Sequence, residues 1–404
     1  MIYRFADCIL DQARLELHRG GGPVAVEPQV FSLLVHLAAH ADRVVDRDEL
    51  IAVVWDGRIV SEATLGSRIN AARRAVGDDG ARQAVIRTYP RRGIRLVAPV
   101  TVDADRPAVP PPIAGGPAVD EGPGPPDQVV RFRRTASGVQ LAWAVAGQGP
   151  PLVKAANWLN HVEFDWRSPI WRALFARLAR SRTLYRYDER GTGLSDWRVD
   201  DLGFEAFVED LEEVVSAAGL DRFPLLGISH GGAVAVAYAA RHPGTVERLV
   251  LWGGLIRGRQ RRGDTVQAAQ GTALESLILS GWGGANPAFR RMFAALYLPQ
   301  ATEAQIDWFT DLQRVAVNPE NALAIRQSID QIDVSDLLPA LTCPVLIVHS
   351  RDEAVVPLDE ARRAAARMPQ AEVLVLDSAN HVVLPQEPAW ETAVARIEQF
   401  LAGT

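Results

Sequence analysis

Apolar residues in the first 100 positions follow two kinds of pattern, alternating and helical. The stretches from Tyr3 to Leu17 and from Val24 to Val26 alternate apolar with polar side chains, which predicts short strands. From Pro28 to His40 the apolar residues recur at three- and four-residue spacing, which predicts a helix with one buried face. This part of the chain is therefore a small unit of mixed strands and helices.

Two further helices follow in the same unit. Asp46 is suited to cap a second helix, which runs through Leu50 to Trp55. Ser61 is suited to cap a third, from Glu62 to Val76. The exposed face and flanks of this third helix carry short side chains, most of them polar, and arginines: Thr64, Ser67, Arg68, Asn70, Ala71, Arg73 and Arg74. Such a face suits a helix that enters the major groove of DNA, and a solvated face is the alternative.

A hairpin after the third helix favours DNA over the solvated face. Val85 to Thr88 and Ile94 to Val97 predict its strands, and Arg91 and Arg92 lie at its tip, where they can reach phosphate or a minor groove. Eight arginines and two acidic residues lie between positions 68 and 95, although the whole chain has a formal net charge of −6. We therefore predict that this unit binds double-stranded DNA, with a protein-interaction role as the alternative.

The unit resembles the OmpR/PhoB-type winged helix over residues 3 to 99. The matching segments are VEPQVFSLLVHLAAHADRVVDRDELIAVVW, SEATLGSRINAARRAVGDD and IRTYPRRGIRLVAP. The resemblance implies that the third helix reads the major groove and that the hairpin is the wing. Members usually carry a receiver domain upstream or a membrane span downstream, so we expect the signal input of this chain in its C-terminal part. A homodimer on DNA is expected, because one winged helix covers a short half-site, and RNA polymerase is a further expected partner.

A segment rich in proline divides the chain. Nine prolines lie between positions 99 and 128, with almost no large apolar side chains, so the segment cannot bury a core. We predict a winged-helix domain at residues 1–100, a linker at 101–128 and an α/β domain at 129–404.

The C-terminal part alternates strand-like and helix-like segments, which predicts a mainly parallel sheet flanked by helices. An apolar strand ends at Ile228, and Ser229 follows within the pattern Gly-Ile-Ser-His-Gly before an alanine-rich helix. A serine on such a strand-to-helix turn presents its Oγ as a nucleophile, and the N–H of His230 points to where an oxyanion would develop.

A serine nucleophile needs a base oriented by a carboxylate, and both are expected after later strands. The strand from Cys343 to His349 is followed by Asp352, and a further strand is followed by His381. We predict Asp352 as the acid and His381 as the base, with Asp377 as the rival acid.

The C-terminal part resembles an α/β-hydrolase. Its matching segments are YDERGTGLS, GISHGGAVAVAYAARHP, PVLIVHSRDEAVVP and ANHVVLPQEP. The resemblance implies Ser229 as nucleophile, His381 as base and Asp352 as its orienting acid, and a helical cap at about residues 255–338. The expected fold class is thus an N-terminal α+β winged helix and a C-terminal α/β-hydrolase fold with a helical cap.

One departure from the family pattern concerns the second oxyanion donor. Many members have His-Gly after the third strand, whereas this chain reads Ala-Ala-Asn157-Trp158, so Trp158 is predicted to donate its backbone N–H. The loss of glycine predicts weak or altered hydrolysis. The predicted substrate pocket consists of Asn157, Trp158, His161, Trp252 and Trp282.

Composition bounds the remaining possibilities. The chain has 404 residues, of which 48% are hydrophobic and 23% charged, as in ordinary globular proteins. Cys8 and Cys343 are too far apart in sequence to indicate a disulfide framework or a metal site, and no apolar run reaches the length of a membrane span. We predict a soluble cytoplasmic protein with no cofactor, no metal and no membrane partner.

Two functions remain open at this point. The first is a transcription regulator whose hydrolase-like part binds or cleaves a small-molecule ligand. The second is a serine esterase or other acyl hydrolase that is tethered by a DNA-binding domain.

Overall fold

The structure is a computed structural model of the whole chain. It describes all residues except 1, 12–15, 21, 25, 27, 42, 47–48, 52–61, 81, 90–91, 104–125, 285, 369 and 404. The chain divides into two units, Met1–Ala118 and Val119–Thr404.

The N-terminal unit contains an antiparallel sheet and a separate hairpin. The sheet has the strand order β4-β3-β2-β1-β7, and β5 pairs with β6 in the hairpin. The strands are β1 Ile2–Phe5, β2 Cys8–Asp11, β3 Glu16–Arg19, β4 Gly22–Val24, β5 Ile86–Tyr89, β6 Gly93–Leu96 and β7 Val100–Asp103. Alternate strand residues such as Tyr3, Phe5 and Leu10 are buried, because side chains on a strand point alternately to the two faces.

Helices α1 (Pro28–Ala39) and α2 (Glu62–Ala75) pack against each other in this unit. The apolar stripe predicted for α1 is buried. Asp46 accepts a hydrogen bond from the backbone N–H of Glu49 at 2.9 Å, as expected of a helix cap, whereas the continuation to Trp55 lies outside the described residues.

Two buried charged side chains join α2 to the hairpin. Arg73 donates to the carbonyl of Ile86 and to the hydroxyl of Thr88. The carboxylate of Asp78 accepts hydrogen bonds from the backbone N–H groups of Ile86, Val85, Ala84 and Asp79. Burial alone would raise the pKa of Asp78, but these four hydrogen bonds outweigh burial and hold that pKa below its ordinary value. The hairpin is therefore held to the helix by buried polar bonds as well as by packing.

The C-terminal unit has a mixed sheet with the order β15-β14-β13-β12-β10-β11-β9-β8. Strand β9 pairs antiparallel with β8 and β11, and the neighbours from β11 to β15 are parallel. The strands are β8 Gln128–Arg134, β9 Gln140–Ala146, β10 Pro151–Lys154, β11 Thr183–Tyr187, β12 Phe223–Ile228, β13 Val246–Trp252, β14 Val345–Ser350 and β15 Ala371–Leu376. Every residue of β12 and β14 is buried, which is why β12 and the first four residues of β14 are apolar in sequence.

The helices that pack on this sheet alternate with its strands. They are α3 Val162–Trp166, α4 Arg172–Ala179, α5 Phe204–Ala218, α6 Gly231–Arg241, α11 Leu358–Ala365 and α12 Ala389–Ala402. Helix α6 follows β12 directly and packs on β12 and β13. This places the β12–α6 turn at the carboxyl edge of the parallel strands.

Between β13 and β14 the chain forms further helices, which we call the cap helices. They are α7 Thr265–Gly281, α8 Ala288–Tyr297, α9 Glu303–Ala316 and α10 Pro319–Gln331. Within the described part of the chain, no helix is both long enough and apolar enough to cross a membrane.

Candidate active site

Ser229 occupies a strained turn between β12 and α6. Its φ is 53°, in the left-handed region that non-glycine residues rarely adopt. A Cβ atom on Gly227 would lie 2.6 Å from the carbonyl oxygen of Gly231, and one on Gly231 would lie 2.3 Å from that of Ala156. The glycines on both sides of the serine are therefore required by close backbone packing, as the sequence pattern predicts.

His381 is paired with Glu353, which corrects the prediction of Asp352. The Nδ1 atom of His381 lies 2.9 Å from Oε2 of Glu353, and the Glu353 side chain is fully buried. Asp352 is exposed and its backbone N–H donates to the carbonyl of Ser378, while the rival Asp377 is exposed as well. Asp352 and Glu353 lie in the turn after β14, where the carboxylate of Glu353 is buried against the histidine and Asp352 is exposed to solvent.

The rest of the Glu353 environment holds its carboxylate in place. Oε2 also accepts the backbone N–H groups of Val355 and Val356, each at 3.0 Å. His349, the last residue of the strand predicted before this turn, lies with its Nε2 atom 3.3 Å from the other carboxylate oxygen. Burial lowers the pKa of His349, and its Nε2 also lies 2.8 Å from the carbonyl of Val356. The sequence carried one unused signal for this acid, the second carboxylate next to Asp352.

A second histidine–carboxylate pair lies beside the nucleophile. The Nε2 atom of His230 lies 3.0 Å from Oε2 of Glu189, and both side chains are 1% exposed. The Nδ1 atom of His230 accepts the backbone N–H of Trp158 at 2.9 Å. The backbone N–H of Trp158, the predicted second oxyanion donor, therefore already donates to a side chain. This bond corrects the role expected of Trp158. The ring of His230 bonds to the loop that carries Trp158, and its backbone N–H stays a predicted oxyanion donor.

Lys154, the only lysine in the sequence, contacts the loop that carries Trp158. Lys154 is buried at the end of β10 and donates to the amide oxygen of Asn157 and to the carbonyl of Ala155. Burial lowers the pKa of Lys154 to about 8, against the opposing effect of Asp165. Lys154 thus orients Asn157, a contact that no sequence pattern indicated.

One cavity contains both Ser229 and His381. It is narrow and is lined almost entirely by apolar side chains. The lining residues are Asn157, Trp158, Leu159, Ile170, Trp171, Ile228, Ser229, Tyr297, Leu298, Phe309, His381 and Val382. Within the described residues, Nε2 of His381 has no hydrogen-bond partner. The arrangement presents a hydroxyl and an unpartnered ring nitrogen to an apolar space.

Three of the predicted pocket residues lie elsewhere. Trp252 is fully buried in the core against Trp390. Trp282 stacks on Trp158, with 5.7 Å between ring centroids, and does not line the cavity. His161 caps α3 by accepting a hydrogen bond from the backbone N–H of Phe164, and burial lowers the pKa of its ring to about 4. Asn157 and Trp158 do line the cavity.

The predicted DNA-contacting residues are mostly accessible in the N-terminal unit. Ser67, Asn70, Arg74 and Arg92 are exposed, and Arg68 and Ala71 are partly buried. The side chain of Thr64 and the whole of Arg91 lie outside the described residues. Arg73, at the flank of the helix, is buried and used by the hairpin.

Within the described residues, one group of side chains could share a metal ion: His36, His40 and Glu49. Arg43 donates to both carboxylate oxygens of Glu49, at 2.8 and 2.6 Å. The guanidinium already neutralises that carboxylate, so the group is an ion-pair cluster.

Known families match both units of the chain. Residues 165–388, more than half of the chain, match the family described as the alpha/beta hydrolase fold. The chain belongs to the α/β-hydrolase fold family. Residues 21–96 match the family described as transcriptional regulatory protein, C terminal. The protein therefore carries an OmpR/PhoB-type DNA-binding domain fused to an α/β-hydrolase domain.

Individual relatives of this α/β hydrolase cover its C-terminal unit. "Putative carbamate hydrolase RutD" of Agrobacterium fabrum strain C58 is 28% identical over 237 residues, which are 58% of this chain and 88% of that protein. An esterase from Exiguobacterium antarcticum superposes with a TM-score of 0.56 at 21% identity, over 68% of this chain and all of the other. The esterase RhEst1 from Rhodococcus sp. ECU1013 gives 0.55 at 23% identity, over 68% of this chain and 98% of the other. These structural likenesses show the fold of the C-terminal unit.

Proposed function

We propose that this protein is a transcription regulator whose hydrolase domain senses a small-molecule ligand and hydrolyses activated esters slowly. The observation that carries the proposal is the presence, in one chain, of a DNA-binding regulatory domain and a cavity that contains Ser229 and His381. A regulator needs an input, and an apolar cavity with a few polar groups is suited to bind a small molecule.

DNA binding is proposed to use α2 and the hairpin. The exposed side chains of Asn70 and Arg74 are available for base edges, and Arg92 for phosphate. Arg73 and Asp78 support this role indirectly, because their buried hydrogen bonds hold the hairpin against α2. The proposed DNA contacts further comprise Thr64, Ser67, Arg68, Ala71 and Arg91.

In the proposed hydrolysis, Ser229 attacks the acyl carbon of an ester while Nε2 of His381 accepts the proton of its hydroxyl. Glu353 holds the Nδ1–H of His381, which leaves Nε2 as the basic nitrogen and stabilises the imidazolium that forms. The alcohol leaves with that proton, and a water molecule then releases the acid from the acyl-serine by the same route.

We infer slow turnover because one of the two expected oxyanion donors already has a partner within the protein. The backbone N–H of Trp158 bonds to His230, so it is not directed at a developing oxyanion. Loss of one such donor typically costs about 10²–10³-fold in kcat. Binding in the cavity does not depend on this donor, so ligand sensing is compatible with a low rate.

The alternative function is a tethered acyl hydrolase, which the pairing of His381 with Glu353 favours. The relative from Agrobacterium fabrum is named for carbamate hydrolysis, which makes carbamate a test substrate beside simple esters. A homodimer on DNA and contact with RNA polymerase belong to the regulator proposal and not to the hydrolase alternative.

Substitution of Ser229 by alanine separates sensing from catalysis. If occupancy of the cavity governs transcription, Ser229→Ala abolishes hydrolysis of p-nitrophenyl esters but keeps the ligand response of a reporter promoter, because differential affinity for two conformations needs no chemistry. Rapid turnover of a cellular ester or carbamate, together with DNA binding that no ligand changes, would instead establish the tethered hydrolase.

DNA binding is tested with full-length variants on a selected operator. Arg91→Ala with Arg92→Ala should weaken binding to every sequence and flatten its salt dependence, since phosphate contacts release counterions. Arg74→Ala should instead relax preference at particular base pairs, by about 1–3 kcal/mol if a bidentate contact is lost. Unchanged affinity in both variants would refute the assignment, and sedimentation showing one monomer per operator would remove the dimer.

A further inference from the structure

Asn157 lies in the loop that follows β10, beside the nucleophile. It is 5% exposed and lines the cavity that contains Ser229 and His381. Strands β10 and β12 are parallel neighbours, and Lys154 at the end of β10 lies level with Leu226. Continuation of that register by three residues sets Asn157 level with Ser229. The two residues therefore lie side by side at the carboxyl edge of the sheet.

Two contacts show that the loop stays in step with the β12–α6 turn beyond the paired residues. The backbone N–H of Trp158 donates to Nδ1 of His230 at 2.9 Å. A Cβ atom on Gly231 would lie 2.3 Å from the carbonyl oxygen of Ala156. Asn157, between Ala156 and Trp158, is thus held against the turn that carries the nucleophile.

Lys154 fixes the orientation of the Asn157 amide. The ammonium group donates to Oδ1 of Asn157, and because an ammonium has no acceptor, the atom that it contacts must be the amide oxygen. Within the described part of the chain, Nδ2 of Asn157 donates to no acceptor. Since the oxygen is engaged by Lys154, Nδ2 is the polar atom that the side chain has available for the cavity. A buried donor without a partner is costly, so it suits an acceptor that a ligand brings.

One of the two oxyanion donors expected from the sequence needs a substitute. The backbone N–H of Trp158 is used by the ring of His230, whereas the backbone N–H of His230 stays a predicted donor. The amide of Asn157 lies next to the bonded N–H in the chain and level with Ser229 in the sheet. It has the free N–H groups that the bonded donor lacks.

We propose that the side-chain amide of Asn157 is the second oxyanion donor and that Lys154 is the residue that positions it. When Oγ of Ser229 bonds to the acyl carbon, the π electrons of the carbonyl move to its oxygen, and Nδ2–H of Asn157 stabilises that charge beside the backbone N–H of His230. The charge disappears when the carbonyl re-forms and the alcohol leaves with the proton held by His381. The inference rests on the proposed function, because it adds a donor to the proposed hydrolysis.

Lys154 strengthens this donor as well as orienting it. A bond from an ammonium to Oδ1 polarises the amide, and hydrogen bonds in a chain reinforce one another. A side-chain amide is nevertheless less rigid than a backbone N–H, because the terminal torsion of asparagine is broad. Hydrolysis with Asn157 in place of Trp158 is therefore slow, in keeping with the proposed turnover.

Steady-state hydrolysis of p-nitrophenyl acetate by full-length variants tests the donor. Asn157→Leu keeps the side-chain volume without an N–H, so kcat should fall by about 10²-fold with KM nearly unchanged, since the charge exists only in the transition state. Asn157→Asp keeps the contact with Lys154 but brings a negative charge to the oxyanion, so its kcat should fall at least as far. A merely structural role predicts that Asn157→Asp is the more active variant, and that result would overturn the proposal, as would wild-type kcat in Asn157→Leu.

Asn321→Ala is the matched control for the loss of an asparagine amide. Nδ2 of Asn321 donates to the carbonyl oxygens of Gly191 and Trp197, so this amide is used within the protein, and the residue does not line the cavity. The variant should keep the kcat of wild type. An equal loss of kcat in Asn321→Ala and Asn157→Leu would assign the loss to folding and overturn the donor.

Lys154→Met tests the positioning residue. It should lower kcat by about tenfold without raising KM, because the amide loses its fixed orientation, and it should have no further effect when Asn157→Leu is already present. Losses that add in the double variant would show that Lys154 acts independently of Asn157, which would overturn its positioning role.

Binding of a transition-state analogue separates this inference from the proposed turnover. 1,1,1-Trifluorobutan-2-one adds to a serine hydroxyl as a tetrahedral oxyanion and has no leaving group. Its dissociation constant, measured by fluorine NMR, should rise by about 30-fold in Asn157→Leu and stay unchanged in Asn321→Ala. An adduct that depends on Asn157, without turnover of p-nitrophenyl acetate, would overturn the proposed hydrolysis and leave the donor standing. Wild-type affinity and wild-type hydrolysis in Asn157→Leu would overturn the donor and leave the hydrolysis standing.

Discussion

Two histidine–carboxylate pairs flank Ser229, and they use the same chemistry in different ways. In the pair of His381 with Glu353, one ring nitrogen bonds to the carboxylate and the other lies in the cavity wall without a partner in the described part of the chain. In the pair of His230 with Glu189, one nitrogen bonds to the carboxylate and the other accepts the N–H of Trp158.

The difference shows that a buried histidine with a carboxylate is not by itself a catalytic pair. What distinguishes the two is the second ring nitrogen, because only a nitrogen without an internal partner can exchange a proton with a substrate. His230 therefore acts on the chain's own backbone, where it holds the loop of Trp158, whereas His381 is placed to act on a ligand.

The largest expected effect is the loss of hydrolytic activity when His381, the histidine of the first pair, is replaced. His381→Ala should lower kcat/KM for p-nitrophenyl acetate by roughly 10³-fold or more, because nucleophile and base act as a unit. His242→Ala is the control, since His242 forms a histidine–carboxylate pair with Glu212 at the surface. Retention of wild-type activity by His381→Ala would show that hydrolysis does not use this histidine.

The next effect concerns the carboxylate of the first pair. Glu353→Gln should reduce kcat by about 10²–10⁴-fold, because a neutral amide no longer stabilises the correct tautomer or the imidazolium of His381. The neighbouring Asp352→Asn should leave kcat unchanged, since Asp352 is exposed and its backbone N–H bonds to Ser378. Steady-state kinetics with p-nitrophenyl acetate measures both, and the reverse ranking would restore Asp352 as the acid.

Removal of the second pair, His230 with Glu189, should raise kcat, whereas removal of the first pair lowers it. A double variant, Glu189→Leu with His230→Met, removes the acceptor of the Trp158 N–H without leaving a buried carboxylate unpaired. If the freed N–H turns toward the oxyanion, kcat should rise by about tenfold or more, while KM changes little because the charge develops only in the transition state. A kcat below that of wild type would mean that the His230 bond holds the loop in its active form.

The smallest expected effect is on stability and concerns His161. Burial is the largest influence on the pKa of this ring, whereas His381 and His230 are each paired with a carboxylate. Because burial lowers that pKa from 6.5 to about 4, the unfolded chain takes up a proton before the folded chain does as pH falls. Stability should therefore decrease between pH 6.5 and 4, by about 2 kcal/mol at pH 5 relative to pH 7.5.

The comparison variant for this loss is His161→Asn, which keeps a cap acceptor for α3 and has no titrating ring. Urea unfolding at both pH values, followed by tryptophan fluorescence, measures the difference between wild type and variant. An identical pH dependence in the two proteins would show that His161 does not titrate in this range.

Local sequence determined much of the fold and part of the site. The continuous apolar run of β12, the glycines around Ser229 and the helix that follows are short-range features, because sterics and backbone hydrogen bonds act between near neighbours. For the same reason the stripe of α1 and the capping role of Asp46 could be predicted from residues a few positions apart. The position of His381 after β15 followed from the alternation of strands and helices.

Only the tertiary structure decided which partner each buried polar group has. The choice between Asp352 and Glu353 and the bond from Trp158 to His230 both depend on how segments far apart in sequence pack together. Neighbouring carboxylates have the same chemistry in sequence, and they differ only after folding directs one to a buried histidine and the other to solvent. The sequence by itself therefore determined which residue types meet at the sheet edge, and packing determined which of their atoms are left without an internal partner.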